Sequence, residues 1–170
     1  KVNTLINLKE IKNKIIKREN FYLLIVILII FSLDRYSKNV IMKNFSENVF
    51  YINDFVNFDL IWNTGIGFGL LDFNSEFIYK SITILIAFLI ILLIYFASIS
   101  DKYDSIVFAI IIGGALGNFY DRVTINAVPD FIDFHFGQFH WFTFNVADIF
   151  ITIGVILFLM KNVFIKQKKT

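Results

Sequence analysis

The chain has 170 residues, is 57% hydrophobic, holds 22 Phe, one Pro and no Cys, and carries a formal charge of +2. Its charged fraction of 18% is below the roughly 25% of soluble domains, and the lack of cysteine excludes disulfides, iron–sulfur ligation and a thiol nucleophile. The charge is concentrated at the ends: residues 1–18 hold six Lys/Arg and residues 161–170 hold four, ten of the sixteen in the chain, with Glu10 the only acid in either segment. Beside hydrophobic spans, such tails read as topology rather than nucleic-acid binding. The positive-inside rule then puts both termini in the cytoplasm and requires an even number of spans.

In chain order, Leu5, Leu8, Ile11, Ile15 and Ile16 recur at near-helical spacing among lysines, the pattern of a helix on the inner membrane surface. The uncharged run 21–33 continues into Asp34-Arg35 rather than a small-residue cleavage site, so it predicts a retained first span over about 21–40, not a signal peptide. Asp34 and Lys38 fall near its outer end. Within 44–75, Val56, Phe58, Leu60 and Trp62 alternate with Asn57, Asp59 and Asn63. That is the period of a strand, with 49–52 as hairpin partner and Asn53-Asp54 at the turn. Gly65, Gly67 and Gly69 are expected to loosen the chain after it, so that the sheet can act as a clamp.

A second span is predicted at about 77–97. Residues 81–100 carry no charge, and twenty residues of helix cross about 30 Å of hydrocarbon. After the short link "SISDKYD" comes a third span at about 105–120, where Gly113, Gly114 and Gly117 suit close helix packing. Residues 121–147 read as a second outer loop, and a fourth span follows at about 145–160. The predicted class is an all-α polytopic membrane protein. It has four transmembrane helices, a small extracytoplasmic β-sheet over about 44–75, and a single membrane domain over 1–170.

In this topology Asp34, Lys38, Asn63, Asn118, Asp121, Arg122, Asp130, Asn145 and Asp148 all fall at the outer face. A carboxylate at the centre of a span costs about 2.5–3.5 kcal/mol, so grouping these residues asks for a reason. A polar network that merely pins the bundle is one. A proton relay in a carrier is another, but it calls for acids spread through the membrane depth. Catalysis is the third. Asp130 and Asp148 flank the start of the fourth span, where a short connection can bring them together. Two carboxylates about 4 Å apart at an effective dielectric near 20 repel by about 4 kcal/mol. Such a pair shares one proton near neutral pH and supplies an acid and a base. Asp148, near a helix N-terminus, favours the anion, which leaves the proton on Asp130. Spacing alone does not separate Asp130 from Asp133, which reads as a solvated loop residue. His135 and His140 are five apart and lack the glutamate of the helical zinc-protease motif, so they read as interfacial. No phosphate loop, dinucleotide fingerprint or serine nucleophile motif occurs.

The blocks "DRYSK" (34–38), "NTGIGFGLL" (63–71), "GGALGNFYDRV" (113–123), "VPDFI" (128–132) and "FNVAD" (144–148) occur in the order found in bacterial lipoprotein signal peptidase, signal peptidase II, and the chain resembles that family. The resemblance implies an intramembrane aspartic peptidase of the bacterial inner membrane. It would cleave prolipoproteins before a diacylglyceryl-cysteine and be inhibited by globomycin-type cyclic peptides. The catalytic pair maps to Asp130 and Asp148. Substrate-binding or dyad-supporting roles map to Asp34, Lys38, Asn63, Asn118, Arg122 and Asn145. Asp133 lies outside the motif. No cofactor, metal or nucleic acid is implied, membrane lipid is the surroundings, and a monomer suffices. Pro129 and Phe142 depart from the usual residues, Pro129 where a β-branched residue is common, but neither is a mapped position.

Overall fold

The computed structural model describes residues 21–45, 47–65 and 76–167. The expected surface helix over 5–16, together with Gly67 and Gly69, lies outside the described residues. Helices and hairpins follow one another as α1 (Phe21–Asn44), β1 (Phe50–Asn53), β2 (Val56–Asn63), α2 (Glu76–Ile99), α3 (Lys102–Thr124), β3 (Val128–Phe136), β4 (Phe139–Phe144) and α4 (Val146–Gln167).

Among the described residues, three helices are long and apolar enough to cross a membrane: Phe77–Ile99 in α2, all of α3, and Val146–Val163 in α4. α1 is as long as α2, but Asp34, Arg35, Lys38 and Lys43 interrupt its second half. Large apolar side chains such as Leu28 and Ile29 on α1, Ile84 and Phe88 on α2, and Ile153 and Ile156 on α4 are exposed. Large apolar side chains exposed on three helices mark contact with lipid or another apolar partner.

α3 is the hub and packs against each of the other three helices. In lipid, helices associate through close packing of small residues, because the hydrophobic effect no longer drives them together. Two glycines make this approach possible. A Cβ on Gly114 would lie 2.6 Å from the Ala147 carbonyl oxygen at the start of α4, and one on Gly117 would strike the Asp34 carboxylate on α1. α3 therefore draws the charged part of α1 and the first turn of α4 to one place.

The strands form one antiparallel sheet in the order β1-β2-β3-β4. The first hairpin lies where the alternation put it. Its turn is Asp54-Phe55, one residue later than expected, because Asn53 Oδ1 accepts from the N–H groups of Phe55 and Val56 at 2.9 and 3.0 Å. The reading of 121–147 as a loop is corrected. α3 runs on to Thr124, and β3 and β4 make a second hairpin around Gly137-Gln138. Gly137 has φ 59, the sign that two-residue hairpin loops demand. Asp130 thus sits on an inner strand, opposite Ile61 of β2.

Candidate active site

The geometry starts at the N-terminus of α4, whose first N–H groups have no partner within the helix. Asn145 caps it: its Oδ1 accepts from the Asp148 N–H, and Asp148 Oδ2 accepts from the Asn145 N–H, both at 3.1 Å. This is a capping box with aspartate at the third helical position. A further N–H, that of Ala147, donates to Asp34 Oδ1 of α1 at 2.9 Å. Asp148 keeps its second oxygen for the Asn118 amide of α3, at 2.8 Å.

Asn145 also reaches the other acid. Its Nδ2 donates to Asp130 Oδ1 at 2.6 Å, while Asn63 Nδ2, at the end of β2, donates to Asp130 Oδ2 at 2.8 Å. One asparagine therefore contacts both Asp130 and Asp148. Asp130 is only 3% exposed. Burial first, then the neighbouring Asp148 carboxylate, push its pKa up to about 6.

A second layer lies behind Asp148. Lys38 is fully buried and donates to Asp34 Oδ2 (2.9 Å), Asn118 Oδ1 (2.8 Å) and Asp121 Oδ2 (2.7 Å). Asp121 in turn pairs with Arg35, whose guanidinium lies over the Tyr120 ring. A buried ammonium is tolerable only with its hydrogen bonds and charge both answered, and here two carboxylates and an amide answer all three donors. Arg122 ties α3 to the sheet side, donating from Nη2 to the Gly65 carbonyl at 3.1 Å. Gly65 also donates its N–H to Asn63 Oδ1 at 2.9 Å, so it is pinned rather than loose. Arg122 Nε is buried without a partner among the described residues.

Asn63, Asn118, Arg122, Asp130 and Asp148 line a cavity of about 250 Å³ whose remaining wall is mainly aliphatic, including Leu89, Ile90 and Leu93 of α2 and Ile151 of α4. All eight residues to which the resemblance gave catalytic or supporting roles thus join one connected constellation. Asp121, grouped with them by its place but given no role, completes the charge balance together with Arg35. Asp133 is corrected: it is a buried strand residue, 2% exposed, not a solvated loop residue.

The profile of the Signal peptidase (SPase) II family matches residues 26–164. The chain belongs to the signal peptidase II family. A lipoprotein signal peptidase of Pelagibacter ubique (strain HTCC1062) is 50% identical over 159 residues, covering 91% of this chain and 96% of that one. One from Francisella tularensis subsp. novicida (strain U112) is 39% identical over 154 residues, covering 86% and 94%. A solved bacterial membrane enzyme superposes with a TM-score of 0.73 at 29% identity, over 88% of this chain and 92% of that one. Family membership makes the chain a signal peptidase II type protease. The matched segment takes in every residue of the constellation.

Proposed function

We propose that this signal peptidase II family member is an aspartic endopeptidase. It removes signal peptides from bacterial prolipoproteins, cutting before a cysteine that already carries diacylglycerol. The observation that carries the reading is Asn145, bonded to Asp130 through its side chain and to Asp148 through its backbone and side chain. It holds both carboxyls on the wall of one largely apolar cavity.

The chemistry follows from unequal surroundings. Asp148 faces a helix N-terminus and a backbone N–H, which favour its anion. Asp130 is buried beside the Asp148 carboxylate, which outweighs the two amide donors on its oxygens, and it holds the shared proton up to about pH 6. Asp148 takes a proton from water as the oxygen attacks the scissile carbonyl, and Asp130 gives its proton to the carbonyl oxygen. On collapse of the tetrahedral intermediate, Asp130 recovers its proton and Asp148 delivers the other to the leaving amine. The signal peptide leaves with a new carboxyl group and the lipidated cysteine with a free amine. With one proton on the pair, the single charge of Arg122 balances the cavity. Its unpartnered Nε is a donor for a substrate carbonyl.

The aliphatic wall from α2 suits an apolar signal peptide arriving sideways from lipid. α1 counts as the fourth span once its charges are partnered inside the bundle, which gives four crossings with both termini cytoplasmic. The dyad then lies at the outer face of the inner membrane, where water can reach it. Every site residue comes from one chain, so a monomer is competent, and globomycin-type cyclic peptides would occupy the same cavity. The test is a prolipoprotein peptide offered with and without diacylglycerol on the cysteine, followed by gel shift and terminal mass. The modified peptide should be cut on the amino side of that cysteine and the plain one left intact. Equal cutting of both, or of neither, overturns the substrate assignment.

A further inference from the structure

Asp133, His135 and His140 form a separate cluster on the sheet. β3 and β4 pair with His135 opposite His140 across the Gly137-Gln138 turn. Residues two apart on a strand share a face, so Asp133 lies beside His135. Three residues along the strand from Asp130, it has the opposite facing. A spacing of five fails as a helical metal motif, yet around a two-residue turn it sets two imidazoles face to face. The rings stack at 5.3 Å between centroids.

The potential ligand atoms of the three residues lie within 4.8 Å of one another. Asp133 Oδ2 is 2.8 Å from His140 Nδ1 and 3.5 Å from His135 Nδ1. His135 is 92% buried, since only 8% of it is exposed. Its Nδ1 has no hydrogen-bond partner among the described residues. A buried ring nitrogen left unpaired beside a carboxylate needs an explanation. Asn57, which pairs with Asp133 across β2 and β3, has a second orphan: its Oδ1 is buried and unpartnered as well. Cross-strand partners share a face of the sheet.

We propose that Asp133, His135 and His140 bind a divalent transition-metal ion, Zn²⁺ being the best match, as a structural staple at the tip of the sheet. Two neutral imidazoles and a carboxylate are a zinc donor set, with bonds of about 2.0–2.2 Å. Tetrahedral geometry then sets neighbouring ligand atoms roughly 3.3 Å apart. The Asp133–His135 spacing already matches, and the exposed His140 side chain, 56% accessible, is free to adjust the rest. The fourth position falls to water or to the Asn57 oxygen. The ion would fix the hairpin end that presents Phe136, Phe139 and Trp141, all exposed.

The test uses the full chain in detergent, purified without a polyhistidine tag, stripped with chelator and titrated with Zn²⁺ alone. Metal retained after gel filtration should reach one ion per chain. His140→Gln removes an exposed ligand and leaves the fold intact. It should weaken retention at least as much as the about 10- to 100-fold seen when a ligand's supporting partner is lost. His135→Gln should do the same, and Co²⁺ loaded in place of Zn²⁺ should lose its ligand-field absorption in both variants. No retained Zn²⁺, or retention unchanged in His140→Gln, overturns the site.

Discussion

Above pH 6 an aspartate held like Asp130 costs the fold stability. Its pKa of about 6 exceeds the ordinary 3.8 because burial and Asp148 disfavour the charged form. A raised folded-state pKa contributes stability that is fully present below the unfolded value and lost as pH rises through the folded one. Roughly two units at 1.36 kcal/mol each give a loss of about 3 kcal/mol between pH 4 and pH 7. Asp130→Asn cannot ionise, so its melting temperature should gain on the parent protein's between pH 4 and pH 8. A gap that stays constant or moves the other way would refute the raised pKa. Carrying such a group is a familiar burden of active sites. Lys38 is buried as well, and its charge is matched by carboxylates on two helices.

Among the elements, the start of α4 does most to shape the site, because its capping box and its contact with Asp130 use the same asparagine. The two roles are separable. Asn145→Ala should cost about 1 kcal/mol of stability, and Asn145→Ser, itself a good cap, should recover most of it. Neither variant keeps the amide that donates to Asp130, and a misplaced carboxyl slows catalysis, by up to about 100-fold for a shift near 1 Å. Both should lose turnover, which thermal melts and peptide cleavage can check side by side. Full turnover in Asn145→Ser would show that the bridge to Asp130 is irrelevant. The first hairpin was legible because β2 alternates apolar and polar residues, with only Ile61 breaking the polar face. The second was not. Val128 to Phe131 are buried at four successive positions, which erases the alternation, and Pro129 reads as a loop residue. The site residues were readable as a set at one end of the helices by span counting, but not their pairing. Nothing local in the sequence says that Asn145 reaches across to β3, or that Asp121 shares Lys38 with Asp34.

For the molecule as a whole, polarity is segregated along the helices. Asp34, Lys38, Asp121, Arg122 and Asp148 gather at the sheet end. At the other end Lys161 bridges Asp101 and Asp104 at 2.6 and 2.7 Å, beside the α2–α3 link. The proposed orientation puts the sheet outside and this link inside. Because the chain lacks cysteine, single replacements give clean labels. An impermeant maleimide should modify Asp54→Cys in intact spheroplasts and Lys102→Cys only after lysis. The reverse pattern would turn the site toward the cytoplasm. The most direct measurement is cleavage of a diacylglyceryl-modified prolipoprotein peptide by the purified protein beside Asp130→Asn and Asp148→Asn, each checked for native melting. The parent protein should convert the peptide, and each variant should be at least about 100-fold slower, as expected for loss of a general acid or base. Undiminished cleavage by either variant would contradict the dyad.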